Sequence, residues 1–176
     1  ALWRAEGRPL SPLLPGTGER GLRGGTSNVP GLVGFGIAAR LARCELDAHA
    51  LRLTVLREAF EASVAERIPS ATVTARNTTR LPNTTHLTFD PDVGSDLVIA
   101  LDREGYAVSA GSACRSGSEE PSPVLLAMSM SPERARTALR VSLGRETTSA
   151  ELEGFLSALR RIVENANSRA SATSKT

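Results

Sequence analysis

A helical pattern of apolar residues dominates the first half of this 176-residue chain. Val29-Pro30 marks its start, since proline is tolerated in the first turn of a helix, and Ile68-Pro69 marks its end. Apolar side chains recur between these points every three or four positions, which predicts a helix of about 35 residues with an arginine-rich outer face. Cys44 falls on the apolar stripe of this helix, so we expect its thiol to be buried in packing.

The second half of the chain alternates between short strands and short helices. Strands are predicted at 71–75, 86–89, 106–108 and 139–143, with helices opening near Asp96, Ser122 and Ser131. A capping box, Thr148 to Glu151, opens a final helix, and the Ser/Ala/Thr/Asn-rich stretch 166–176 is expected to be disordered. The pattern predicts an α/β fold of the α+β type, a small domain reached through the long helix.

The composition limits which kinds of site and which kinds of catalysis the chain can support. The net charge of +2 argues neither for nor against nucleic acid, and no run of about 18 apolar residues could span a membrane. The two cysteines and the two histidines lack metal-ligand spacing, so we expect no metal site and a soluble, cytoplasmic protein with reduced thiols. The 21 basic residues are 20 arginines and Lys175 alone, so the folded part of the chain offers no buried lysine amine.

Cys114 is the first candidate for chemistry. It lies in a run of glycine, serine and alanine, Ser109-Ala110-Gly111-Ser112-Ala113-Cys114-Arg115-Ser116-Gly117, directly after a strand-like segment. No large side chain in this run could bury the sulfur, which favours an accessible thiol that could act as a nucleophile. An ordinary surface cysteine is equally compatible with the local composition.

Two further positions are suited to binding anions. Arg140 lies in an alternating segment, so its guanidinium points away from its apolar neighbours and could bind a carboxylate through two hydrogen bonds, although a solvated strand arginine is the simpler interpretation. Thr26 follows Gly24-Gly25 and precedes a helix start, where backbone amides and a hydroxyl suit a phosphate. Asn83 and His86 are interpreted as turn residues before a strand, and Arg145 as part of a surface ion pair.

Together these segments resemble the C-terminal part of the pyridoxal-phosphate-dependent cysteine desulfurases, the NifS/IscS-like group of the class V aminotransferase fold. The resemblance covers residues 1 to about 165 and rests on four stretches, Glu19-Arg20-Gly21-Leu22-Arg23-Gly24-Gly25-Thr26 with Asn28, Leu81-Pro82-Asn83-Thr84, Ser109 to Cys114, and Leu139-Arg140-Val141-Ser142-Leu143-Gly144-Arg145. It implies the C-terminal domain of a fold-type I transferase. Residues 1–25 would then belong to the large cofactor-binding domain and its loop, 26–165 to the small domain with its linking helix, and 166–176 to the tail.

The resemblance also implies roles. Cys114 would attack the sulfur of L-cysteine held on pyridoxal phosphate, giving L-alanine and a persulfide on Cys114. Arg140 and Asn28 would bind the substrate, and Thr26 would contact the cofactor phosphate in the partner subunit of a homodimer. The sulfur acceptor would be an iron–sulfur scaffold or a tRNA- or DNA-sulfur-modification protein, with no direct nucleic-acid or membrane contact.

The main departure from the family is the missing cofactor lysine, which would lie upstream of residue 1 together with its neighbouring histidine. We therefore expect this chain alone to be an inactive C-terminal fragment, since the cofactor needs that amine as its anchor. Two alternatives stay open. One is a stand-alone, non-catalytic module that carries or binds a persulfide on Cys114, and the other is a selenocysteine lyase.

Overall fold

The computed structural model describes residues 2, 5–93, 96–110 and 120–173. It confirms a fold of mixed helices and one small antiparallel sheet. The elements in chain order are α1 (Val29–Arg67), β1 (Ala71–Val73), β2 (Thr84–Phe89), α2 (Leu97–Arg103), β3 (Ser109–Ala110), α3 (Pro123–Ala127), α4 (Pro132–Arg136), β4 (Leu139–Ser142) and α5 (Ser149–Thr173). The chain forms two compact units, 1–46 and 47–176, whose boundary falls within α1. Across the described ranges, no helix combines the length and the apolarity needed to cross a membrane.

The first unit contains a glycine-rich loop that folds back on itself before α1. Leu14 and Arg23 form a parallel β-bridge, and the Gly24 amide donates to the Leu14 carbonyl at 2.8 Å. A Cβ atom on Gly24 would lie only 2.4 Å from the Pro15 carbonyl oxygen, so this close approach requires glycine. Backbone contacts within this loop therefore fix the path of the chain up to the start of α1.

The predicted long helix is confirmed, but the prediction that Cys44 is buried was wrong. Cys44 is exposed, and so are the large apolar side chains of the same part of α1, namely Val29, Leu32, Val33, Phe35, Ile37, Leu41 and Leu46. Hydrophobic periodicity identifies the apolar face of a helix, but it carries no information on whether another element covers that face. Within the described part of the first unit, this face lies at the surface.

The second unit is built on a four-stranded antiparallel sheet of order β1-β2-β4-β3. Leu87 on β2 is opposite both Val73 on β1 and Leu139 on β4, which sets the register of the three strands. Opposed residues share a face of the sheet, so the two faces can be read directly from this register.

One face of the sheet is apolar and forms the core with α1, α2 and α5. Leu87, Phe89, Leu139 and Val141 are buried on this face, together with leucines, valines and phenylalanines from the three helices. The Phe155 ring of α5 packs 5.8 Å from Phe60 and edge-on at 5.3 Å from Tyr106, measured between ring centroids. The core therefore packs against one side of the sheet.

The capping box at α5 is confirmed, whereas the predicted disorder from residue 166 does not agree with the helix that the structure describes. The Glu151 amide donates to Thr148 Oγ1, and the Thr148 amide donates to the Glu151 carboxylate at 2.8 Å. The helix then continues to Thr173, past the Ser168 hydroxyl, which donates to the Glu164 carbonyl at 2.9 Å. Residues 166–173 contain alanine and arginine but no glycine or proline, so nothing local interrupts the helix.

The third strand lies later than predicted. Tyr106–Val108 lie outside a strand, and β3 consists of Ser109–Ala110. The Tyr106 amide instead donates to the Leu101 carbonyl and completes the turn after α2, where Gly105 adopts a positive φ of 86°. The strand therefore starts only where its backbone can pair with Leu139 and Arg140 on β4.

Candidate functional site

A row of four polar side chains crosses the face of the sheet that points away from the core. It consists of Thr74 just after β1, His86 on β2, Arg140 on β4 and Ser109 on β3, and we call it the polar row. Each member is opposite the next in the strand register, and all four are half-buried. The row brings hydroxyls, an imidazole and a guanidinium from four separate strand segments onto one line.

Arg140 lies in the middle of the polar row. Its Nη2 donates to Ser109 Oγ at 3.3 Å, so the guanidinium leans toward β3. The side chain points away from its apolar neighbours, as the alternating sequence predicts, because Leu139 and Val141 are buried on the opposite face. The side chain is half-buried and hydrogen-bonded, which makes it a more fixed group than a fully solvated strand arginine.

His86 is opposite Arg140 on β2. Its Nδ1 lies 3.0 Å from Thr74 Oγ1. Burial, and secondly the positive charge of Arg140, lower the pKa of the His86 imidazole below its ordinary value of 6.5. The ring is therefore neutral at pH 7, which leaves Arg140 as the charged member of the polar row. His86 lies within β2, as the predicted strand 86–89 implies, and not in the turn before it.

A second arginine covers the adjoining part of the same sheet face. Arg134 on α4 donates through Nε to Thr88 Oγ1 at 3.4 Å, donates through Nη2 to Thr72 Oγ1, and lies 3.4 Å from Asp90 Oδ1. Thr88 is fully buried beneath this contact. Helix α4 thus closes one end of the polar face.

A buried carboxylate that sequence reasoning missed anchors the segment before β2. Glu61 on α1 is 2% exposed and accepts two hydrogen bonds from Arg80, at 2.8 and 2.9 Å, and one from Thr85 at 2.7 Å. Burial by itself would raise the pKa of Glu61, but the bonds from Arg80 and Thr85 and the charges of Arg80 and Arg57 outweigh it and hold the pKa below its ordinary value. The signal was present in the sequence as an acidic residue on the core side of α1.

This anchor continues into the motif Leu81-Pro82-Asn83-Thr84. Arg57 Nη1 donates to the Leu81 carbonyl at 2.8 Å. The Leu143 amide donates to the Asn83 carbonyl at 2.8 Å, and Asn83 Nδ2 donates to the Leu143 carbonyl at 3.3 Å. Asn83 therefore extends the pairing of β2 with β4 by one residue and helps to set the register that aligns His86 with Arg140.

The predicted residues of the first unit lie at the start of α1. Asn28 Oδ1 accepts from the Gly31 amide at 3.1 Å and so caps the helix. The Thr26 carbonyl accepts from Arg23 Nη1 at 3.4 Å, and both Thr26 and Asn28 are exposed. The structure brings these two residues together, and Arg140 belongs to the second unit. Cys114 lies outside the described residues, in the segment 111–119 that follows Ala110.

Three comparisons with known proteins agree on the family. The aminotransferase class-V family matches residues 17–155. A cysteine desulfurase of Gluconacetobacter diazotrophicus is 42% identical over 93% of this chain and 41% of its own length, and one of Bradyrhizobium diazoefficiens is 42% identical over 100% and 45%. The solved structure of a NifS-like protein from Rickettsia africae ESF-5 is 29% identical with a TM-score of 0.73, over 88% of this chain and 40% of that one.

The chain thus spans less than half the length of these relatives. The match runs from the loop before α1 through the sheet to the start of α5, and these elements position the candidate residues. By the extent of this match, the chain belongs to the aminotransferase class-V family.

Proposed function

We propose that this chain is the part of a cysteine desulfurase that carries the nucleophilic thiol and the arginine for the substrate carboxylate. The observation that carries the proposal is the place of Arg140 in the polar row. Its guanidinium is held by Ser109, and Cys114 follows Ser109 by five positions in the sequence. Identity of 42% to proteins named cysteine desulfurase supports the same activity.

The family depends on pyridoxal phosphate, and the residues of this chain fit part of that group. Thr26 offers a hydroxyl beside Gly25 at the approach to α1, which suits the phosphate. Lys175 is the one lysine of the chain, and it lies outside the described residues. When bound, the cofactor supplies the electron sink for breaking bonds at the substrate.

Arg140 would orient the substrate. A guanidinium offers paired N–H donors that match the two oxygens of a carboxylate, and a half-buried position strengthens that contact relative to one in bulk water. The bond to Ser109 restricts the side chain before substrate arrives, which lowers the entropy lost on binding. Asn28 would add a contact to the substrate in the assembled protein.

Cys114 would carry the sulfur. Its thiolate attacks the sulfur of L-cysteine, a sulfur–sulfur bond forms, and the carbon–sulfur bond breaks. The electron pair of the broken bond stays with the substrate carbon, which takes up a proton and yields L-alanine. Cys114 is left as a persulfide that can pass its outer sulfur to an acceptor.

The assembly would supply the remaining groups. We place Thr26 against the cofactor phosphate of a partner subunit in a homodimer, in the cytoplasm. The acceptor of the persulfide sulfur would be a protein, either an iron–sulfur scaffold or a component of tRNA or DNA sulfur modification. Direct contact with nucleic acid or membrane has no part in this proposal.

The test exploits the two cysteines of the chain as a matched pair. In the full-length protein that carries this chain, Cys114→Ser should abolish persulfide formed from L-cysteine, because the hydroxyl cannot accept the sulfur. Cys44→Ser removes an exposed thiol that has no assigned part and should leave the persulfide yield unchanged. The measurement is intact-protein mass spectrometry for an added sulfur, with L-alanine quantified in parallel.

Two results would contradict the proposal. Undiminished persulfide in Cys114→Ser would remove Cys114 as the nucleophile. A persulfide that appears on Cys114 only from an added persulfide donor, and never from L-cysteine, would instead identify a sulfur-carrying module without desulfurase activity.

A further inference from the structure

His86 is a polar member of the row that the proposed function leaves without a role. The register places it directly opposite Arg140 on the same face of the sheet. Directly opposed residues of antiparallel strands have Cβ atoms about 5 Å apart, so a ligand bound in front of one side chain lies within reach of the other. A carboxylate held by Arg140 would therefore meet the imidazole as its neighbour on the β2 side.

The contacts of Arg140 and His86 direct the two side chains to different neighbours. Arg140 Nη2 donates to Ser109 on the β3 side, whereas His86 Nδ1 lies 3.0 Å from the Thr74 hydroxyl on the β1 side. The contact with Thr74 fixes the ring orientation and leaves Nε2 as the second nitrogen for a ligand. Among the described residues, Thr74 and Ser109 thus hold the two ends of the polar row.

The charge state of the His86 ring determines which hydrogen bonds it can offer to a ligand bound by Arg140. Arg140 on β4 is the charge that acts on the imidazole, and the groups on the flanking strand segments, Thr74 and Ser109, are neutral hydroxyls. Burial and that charge lower the pKa of His86, so the ring is neutral at pH 7. If Thr74 donates to Nδ1, the ring proton is on Nε2, and His86 offers one N–H donor without a second positive charge.

We propose that His86 is a second carboxylate-binding residue, which donates from Nε2 to one oxygen of the substrate carboxylate while Arg140 binds the other side. This inference rests on the proposed function, because it assigns a second residue to the carboxylate site of Arg140. The pair of His86 and Arg140 would make the site selective for α-carboxylates, since an uncharged amide in the same place would accept weaker hydrogen bonds.

The test compares two ligands in the full-length protein by isothermal titration calorimetry. L-alanine carries the carboxylate, and L-alaninamide replaces it by an amide. His86→Phe keeps a ring without a donor and should weaken L-alanine binding about 10-fold while changing L-alaninamide binding less than 2-fold. His86→Asn restores an N–H donor and should recover part of the loss. Ser142→Ala, an exposed residue on the same face, is the matched control and should change neither affinity.

Arg140→Ala separates this inference from the proposed function. If Arg140→Ala weakens L-alanine binding and His86→Phe does not, the assignment of His86 is wrong and the proposed function stands. If neither variant weakens it, the carboxylate site itself is wrong. A second readout is the ring ¹⁵N spectrum, with the His86 signal assigned by its loss in His86→Asn. A proton on Nε2 supports the inference, and a proton on Nδ1 overturns it.

Discussion

The two faces of the four-stranded sheet differ in what they bury. One presents Leu87, Phe89 and Leu139 to three helices, and these side chains have no exposed surface. The other presents the polar row, whose members are half-buried. Because successive side chains of a strand alternate between faces, β2 and β4 each contribute to both. A slip of one residue in their pairing would exchange the two sets, so the core enforces the alignment of His86 with Arg140.

Because of this difference, we expect single substitutions to affect either the stability of the fold or the binding of a ligand, depending on the face on which they lie. Substitution on the apolar face should lower the free energy of unfolding and affect ligands only through loss of fold. Substitution on the polar face should weaken ligand binding and leave the fold in place. Three substitutions test this division.

Phe89→Ala should have the largest effect. Phe89 is fully buried on the apolar face, and truncation of a buried phenylalanine costs about 3–5 kcal/mol through lost burial and the cavity left behind. Urea unfolding of the full-length protein and its variant, with hydrogen exchange at the β2 amides, measures the change. A loss below about 1 kcal/mol would show that this face contributes less than its packing implies.

Glu61→Gln comes next, because it removes a charge buried on the apolar side. Arg80 and Arg57 would lose their carboxylate partner, for a cost of about 3 kcal/mol, the lower end of the range because both guanidiniums retain some exposure.

The pH dependence of that cost has a definite sign. Since the folded-state pKa of Glu61 is lowered, its contribution is complete above the unfolded-state pKa of about 4.5 and is lost as the pH falls through the folded-state pKa. The stability gap between wild type and Glu61→Gln should therefore be constant near neutral pH and close under acid conditions. A gap that widens on acidification would contradict the low pKa.

Arg140→Ala should have the smallest effect on stability. Its described hydrogen bond is to Ser109 on a half-buried face, so the free energy of unfolding should fall by about 1 kcal/mol or less. The same variant should weaken binding of the substrate carboxylate by about 1.5–3 kcal/mol, the range for a hydrogen bond to a charged group. If the loss of stability exceeds the loss of affinity, Arg140 belongs to the fold rather than to the site.

Local signals in the sequence predicted local structure well. The length of α1, the capping box at Thr148 and the helix starts at Ser122 and Ser131 all follow from residues within a few positions of one another. The family resemblance rests on motifs of the same kind, and the match to class-V aminotransferases confirms it. The roles of Cys114, Arg140, Asn28 and Thr26 stay predictions.

The errors arose where distant parts of the chain decide the outcome. Cys44 lies on an apolar stripe, but its exposure depends on what packs against α1. Strand β3 begins at Ser109 because β4 offers its pairing partners there, although Tyr106 and Val108 have good strand propensity. Glu61 is buried because Arg80 and Thr85 reach it from the segment around β2.

The sequence by itself determined where the helices begin, the family and the identity of the thiol, guanidinium and hydroxyls available for chemistry. Only the tertiary structure decided that Thr74, His86, Arg140 and Ser109 form one row. The reason is physical: helix periodicity and caps depend on neighbours along the chain, whereas the order β1-β2-β4-β3 and its register depend on hydrogen bonds between residues as far apart as Thr84 and Ser142. Those bonds place an imidazole opposite a guanidinium.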